Sequence, residues 1–138
     1  MANRALVFFT SLVMGASGAS SGCSPRMHRA YRASATMATI SLNVMAARQT
    51  DWALKHVGSI EEKNPIYGTN PSTARLAATV AIGDGLLIVL HHLNEKLPDD
   101  NLASELIKDV LMTVPLAFSI FDVWSNTVVL GPENWRHW

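Results

Sequence analysis

Two Asn-Pro steps, Asn64-Pro65 and Asn70-Pro71, sit close together in the stretch EEKNPIYGTNPST, Glu61 to Thr73. They constrain the chain more than any other feature. Proline in a helix interior removes a backbone donor and clashes with the preceding turn, and it drives the residue before it out of the α region. Gly68 admits a positive φ, and asparagine side chains hydrogen-bond their own turn backbone. No helix passes through this stretch, so it reads as a rigid double corner with Glu61, Glu62 and Lys63 as a charged lip. Ser72 follows Pro71 and precedes an Ala-rich turn, which makes it the N-cap of the next helix. Glu62, Asn64, Pro65, Gly68, Pro71 and Ser72 are therefore read as structural corner residues, since shape alone demands these residue types.

The corner separates long segments with helical character. The first, about 35–57, contains no Gly or Pro and is rich in Ala, Met and Leu, which favour helix. The second, about 72–97, is stopped by Pro98. The third, about 101–130, ends at Gly131-Pro132, and Pro115 within it is expected to kink or split it. No alternating Val/Thr/Tyr pattern occurs, so the expected fold is all-α: a three-helix membrane-associated bundle over 35–131, after an N-terminal signal or anchor segment.

That N-terminus, MANRALVFFTSLVMGASGASSGCSP, begins with one positive charge, Arg4. An apolar run, Ala5 to Gly15, and a stretch of small residues follow, the order of a secretory signal. The run is too short to span a bilayer. Residues 1–23 are thus expected to be a signal peptide, and Cys23 after Gly22 marks a possible lipoprotein signal. Residues 24–34 carry Arg26, Arg29 and Arg32 without an acid and read as a basic linker. Residues 132–138, with Trp135 and Trp138 beside Arg136, form an aromatic tail suited to a membrane interface.

Composition sharpens this picture. Charged residues are 16% of the 138, against roughly 25% in ordinary soluble domains, while hydrophobic residues are 49%. The formal net charge is zero, which gives no nucleic-acid footprint. One cysteine excludes an internal disulfide framework. In the second segment the strong apolar residues contribute roughly −2.5 to −5 kcal/mol toward insertion and the central Asp84 opposes with about +2.5 to +3.5. The sum lies near zero, so spanning and peripheral arrangements both stay open.

Each segment holds an aspartate well inside it: Asp51, Asp84 and Asp122. Val80, Asp84, Ile88 and His91 share a face of the second helix, and Ser119, Asp122 and Asn126 share a face of the third. Asn43, Ala47, Thr50 and Asp51 make a similar stripe on the first. These stripes predict a buried polar network of Asp51, Asp84, His91, Asp122 and Asn126. Neighbouring His91 and His92 point about 100° apart on a helix, and no metal motif occurs. No catalytic residue, metal ligand or cofactor is assigned. IGDGLL lies in mid-helix, and its glycines Gly83 and Gly85 are expected to permit close helix packing.

An acid two residues before an Asn-Pro (Glu62, Asn64, Pro65), followed by Gly68 and Pro71-Ser72, resembles uncharacterised short membrane or envelope proteins of bacteria and phages with a DUF5658-type domain of unknown function. The resemblance covers roughly residues 45 to 93. Its members carry an Asp and a Thr on the preceding helix, where this chain has Thr50 and Asp51 in the reverse order. It implies a helix–corner–helix membrane unit and transfers no chemistry. The expected function is a small exported, non-enzymatic envelope accessory or interaction subunit. Its partners would be membrane lipid and a homo-oligomer or envelope protein, with no nucleic acid. It would sit in the bacterial cell envelope, either in the inner membrane or lipid-anchored in the periplasm. The alternatives are an ion- or proton-handling membrane protein using the aspartates, and a soluble periplasmic bundle tethered as a lipoprotein.

Overall fold

A computed structural model of the chain describes residues 25–57, 71–98 and 101–131. All regular structure in these residues is α-helical: α1 is Pro25–His56, α2 is Thr73–Glu95 and α3 is Leu102–Leu130. Residues 1–23 with Cys23, the aromatic tail, and the corner residues Glu62, Asn64, Pro65 and Gly68 lie outside the described residues.

The helix boundaries follow local chemistry. Ser72 has an extended backbone (φ −70°, ψ 156°), and its side chain accepts from the backbone N–H of Arg75 at 3.2 Å. Asn101 caps α3 in the same way, accepting from Ser104 at 2.9 Å. Each cap satisfies one of the orphan donors at a helix start. At the far end of α3, Gly131 takes φ 85°, and its N–H closes on the Thr127 carbonyl at 3.1 Å.

Three expectations need correction. The helix begins at Pro25, so residues 25–34 are the first turns of α1 rather than a linker. Proline suits this position, because the first helical N–H has no intrahelical partner. Pro115 does not split α3, which continues unbroken on both sides of it. Gly83 and Gly85 are not sites of close packing: a Cβ built on either meets nothing within 4 Å.

Helix α1 is the hub. It packs along both α2 and α3, while α2 and α3 touch each other little. What α1 brings to the centre is mostly polar. Among the described residues, the buried apolar side chains are eight, and five of those are alanines: Ala35, Ala46, Ala47, Ala53 and Ala117. Thirteen buried residues are polar or charged, and Arg32, Lys108, Gln49, Asn94, Thr39 and Thr113 are among the most completely enclosed. Meanwhile twenty large hydrophobic residues face outward, with Ile82 and Leu86 of α2 both 66% exposed. This inverts the usual order, in which Lys and Arg are almost never fully buried.

Candidate functional site

The buried polar residues follow one face of α1. Buried His28, Arg32, Thr36, Thr39 and Thr50, with half-buried Asn43 among them, recur at helical spacing from its first turn toward its last. From residue 28 to residue 50 this face is roughly 33 Å long at 1.5 Å per residue.

The first-turn end of α1 is densely charged. Arg32, with no exposed side-chain surface, donates from Nε to Glu95 at 2.5 Å. Its Nη1 donates to Glu105 at 2.8 Å and to Asp109 at 3.0 Å. One guanidinium therefore ties the last residue of α2 to the first turns of α3. Its planar fork suits this, since it offers several fixed donors at once. Nδ1 of His28 donates to the other oxygen of Asp109 at 2.6 Å, with both groups buried. Lys108, also buried, donates to the Leu97 carbonyl at 2.7 Å and approaches Glu105 at 3.4 Å. Arg29 reaches Glu95 at 3.6 Å from the exposed side. Three acids thus meet the side chains of Arg32, Lys108 and Arg29, and burial of the inner groups is offset by pairing.

Neutral contacts extend this end. The Tyr31 and Thr113 hydroxyls meet at 2.5 Å. Asn94 donates to the Lys108 carbonyl at 3.0 Å, which joins α2 to α3. Two atoms remain buried without a partner here, Nη2 of Arg32 and Oδ1 of Asn94.

The middle of the axis is different. Asn43 of α1 donates to Asp84 Oδ1 of α2 at 2.7 Å. Ser119 of α3 lies 2.7 Å from Asn43 Oδ1 and 3.0 Å from the carbonyl of Pro115. Asp84 is only 8% exposed, and no basic side chain among the described residues pairs with it. Further along, Gln49 donates to the Thr127 hydroxyl at 3.1 Å, leaving its own Oε1 buried and unpaired.

The last-turn end of α1 returns to water. Asp51 accepts from Lys55 at 2.6 Å and from Thr73 at 2.5 Å, which links α1 to the start of α2. The Lys55 hydrogen bond, then that of Thr73, holds the Asp51 carboxyl below the usual carboxylate range.

The single network expected of Asp51, Asp84, His91, Asp122 and Asn126 is therefore not one cluster. Asp84 and Asp51 belong to separate levels: Asn43 and Asp51, eight residues apart on α1, are separated by roughly 12 Å. His91 contacts Thr36 at 3.3 Å, two turns beyond Asp84. Asn126 reaches only the Ala46 carbonyl, at 3.5 Å. Asp122 is half-buried one turn past Ser119. The charged cluster is a feature that the linker expectation for residues 24–34 hides, since it forms only when Arg32 lies on a helix. Its signal was present in the spacing of His28, Arg32, Thr36 and Thr39 at i, i+4, i+8 and i+11, matched on α3 by Glu105, Lys108, Asp109 and Thr113.

Among the described residues, no group of three or more His, Cys, Asp or Glu side chains gathers to hold a metal ion. Helix α2 is long and apolar enough to cross a membrane, with a mean hydropathy of 1.7 over its best window and only 17% of that window buried. No protein-family model matches the chain, and no curated protein or solved structure matches it significantly.

Proposed function

We propose that this chain is a small membrane component of the bacterial envelope, a non-enzymatic accessory or interaction subunit whose outward-facing apolar side chains meet lipid. The observation that carries this reading is the inverted burial, with charged and amide side chains enclosed and large hydrophobic ones outside. In water such a surface is costly, at roughly 25 cal/mol for each Å² of apolar area left exposed. In hydrocarbon it costs little, and polar side chains gain by turning toward one another between helices.

Helix α2 supports the same reading. At 23 residues it extends about 34 Å, enough for a hydrocarbon core of roughly 30 Å. The core helix of a soluble protein would be mostly enclosed, whereas α2 shows its apolar side chains on most of its circumference. The Arg32 cluster then lies toward one interface and the Asp51–Lys55–Thr73 contact toward the other. An accessory role fits a chain whose Arg32 cluster pairs its buried acids and bases with one another, and the corner's resemblance to short envelope proteins points the same way.

Carbonate extraction of membranes from cells making the full chain tests this. The protein is expected to stay in the membrane pellet at high pH and to be released by detergent. Release by carbonate alone as a monodisperse soluble protein would overturn the reading.

A further inference from the structure

We propose that Asp84, Asn43 and Ser119 form a binding site for a monovalent alkali cation at the middle of the bundle. The proposal rests on the membrane reading above for its apolar surroundings, and on a charge imbalance and a proton count for its chemistry.

The imbalance comes first. Asp84 is buried, its hydrogen-bond donor is the neutral amide of Asn43, and no basic side chain among the described residues pairs with it. Removing a lone carboxylate from water is expensive unless a counter-charge accompanies it. Three turns away on α2, Glu95 has Arg32 and Arg29 for this purpose. Asp84 has neither, and a single positive ion matches its single charge. Hard cations take oxygen ligands, and oxygen is what the three helices bring together here. They supply the Asp84 carboxylate and the Asn43 carboxamide as ligands, and the Ser119 hydroxyl as the group that holds the carboxamide in position.

The proton count shows how an ion would enter. Ser119 has one hydroxyl proton and two acceptors in reach, Asn43 Oδ1 at 2.7 Å and the Pro115 carbonyl at 3.0 Å. It can satisfy only one of them at a time. If the Asn43 amide turns over, its Oδ1 faces Asp84 and the two oxygens can hold a cation between them. Its Nδ2 then donates to Ser119 Oγ, and the Ser119 proton goes to Pro115. Every hydrogen bond of the network is made in that arrangement. The site therefore has two states, one with the amide nitrogen toward Asp84 and no ion, the other with the amide oxygen toward Asp84 and an ion bound.

The experiment uses the full chain in detergent micelles, unfolded by heat in sodium, potassium or choline chloride at equal ionic strength. The midpoint is expected to rise by several degrees in sodium or potassium relative to choline, because an ion that binds only the folded state stabilises it. Asp84→Asn is expected to remove this difference, and Ser119→Ala to weaken it by leaving the turned amide without an acceptor. Equal midpoints of the native sequence in all three salts would overturn the site without any variant having to fold. Persistence of the cation effect in Asp84→Asn would overturn it as well. Carbonate extraction judges the membrane reading separately, so either proposal can fail alone.

Discussion

The Arg32 cluster and the Asp84 network lie on the same face of α1, both join all three helices, and both enclose a carboxylate. They treat its charge in opposite ways. Near the start of α1, Glu95, Glu105 and Asp109 converge on one guanidinium with Lys108 and Arg29 beside them. In the middle, Asp84 meets an amide and, through it, a hydroxyl. Paired charge fixes geometry, since removing either side leaves the other buried and uncompensated. An unpaired carboxylate among neutral partners fixes less and leaves room for an exchangeable counter-charge. One region is built to hold the helices, the other to change state.

The sharpest way to break this contrast is Arg32→Met. It leaves Glu95, Glu105 and Asp109 facing one another without their shared donor, and should cost about 3–5 kcal/mol, read as a lowered denaturation midpoint in detergent. A loss no larger than that of Ser119→Ala would erase the distinction between the regions. Ser119→Ala should itself cost about 0.5–1.5 kcal/mol, the usual net contribution of one hydrogen bond, here that to half-buried Asn43. Gly85→Ala should act in the other direction, stabilising α2 by about 0.5–1 kcal/mol through helix propensity alone. Its new methyl group meets no neighbour, so a destabilised variant would show that this face is covered by another molecule.

The smallest effect belongs to the last-turn end of α1. Lys55→Ala should cost only a few tenths of a kcal/mol at neutral pH, because the Asp51–Lys55 pair is solvated. The sign with pH follows from the lowered Asp51 carboxyl. Its contribution is complete above the ordinary unfolded value of about 3.9 and is lost as pH falls through the lower folded value. Stability differences between the variant and the native sequence should therefore stay flat from about pH 7 to 5 and close only in stronger acid. A difference that changes across the neutral range would place the controlling group elsewhere.

Much of the architecture was legible from short-range chemistry. Ser72 announces the start of α2 by its side-chain oxygen, and Pro98 and Gly131 announce the ends of α2 and α3. Asp84, Ser119 and Asn43 were also legible as stripe residues, because helical spacing puts polar groups on one face. Pro115 does not split α3. Its local cost is real, but α3 continues through it with both flanking segments packed along α1. Gly83 and Gly85 do not mark close packing, since small residues permit close approach without requiring it.

The sequence by itself determined that the described residues make three helices and that Ser72 caps the second. Those outcomes depend on groups within a few residues of one another. Only the tertiary structure decided which way the polar faces turn. Arg32 finds its acids 63, 73 and 77 positions further along the chain, beyond the reach of any local pattern. Once α1 stands between α2 and α3, the polar groups on its inner face meet those of both neighbours, as Arg32 does with Glu95, Glu105 and Asp109 and Asn43 does with Asp84 and Ser119. The apolar side chains are left facing outward.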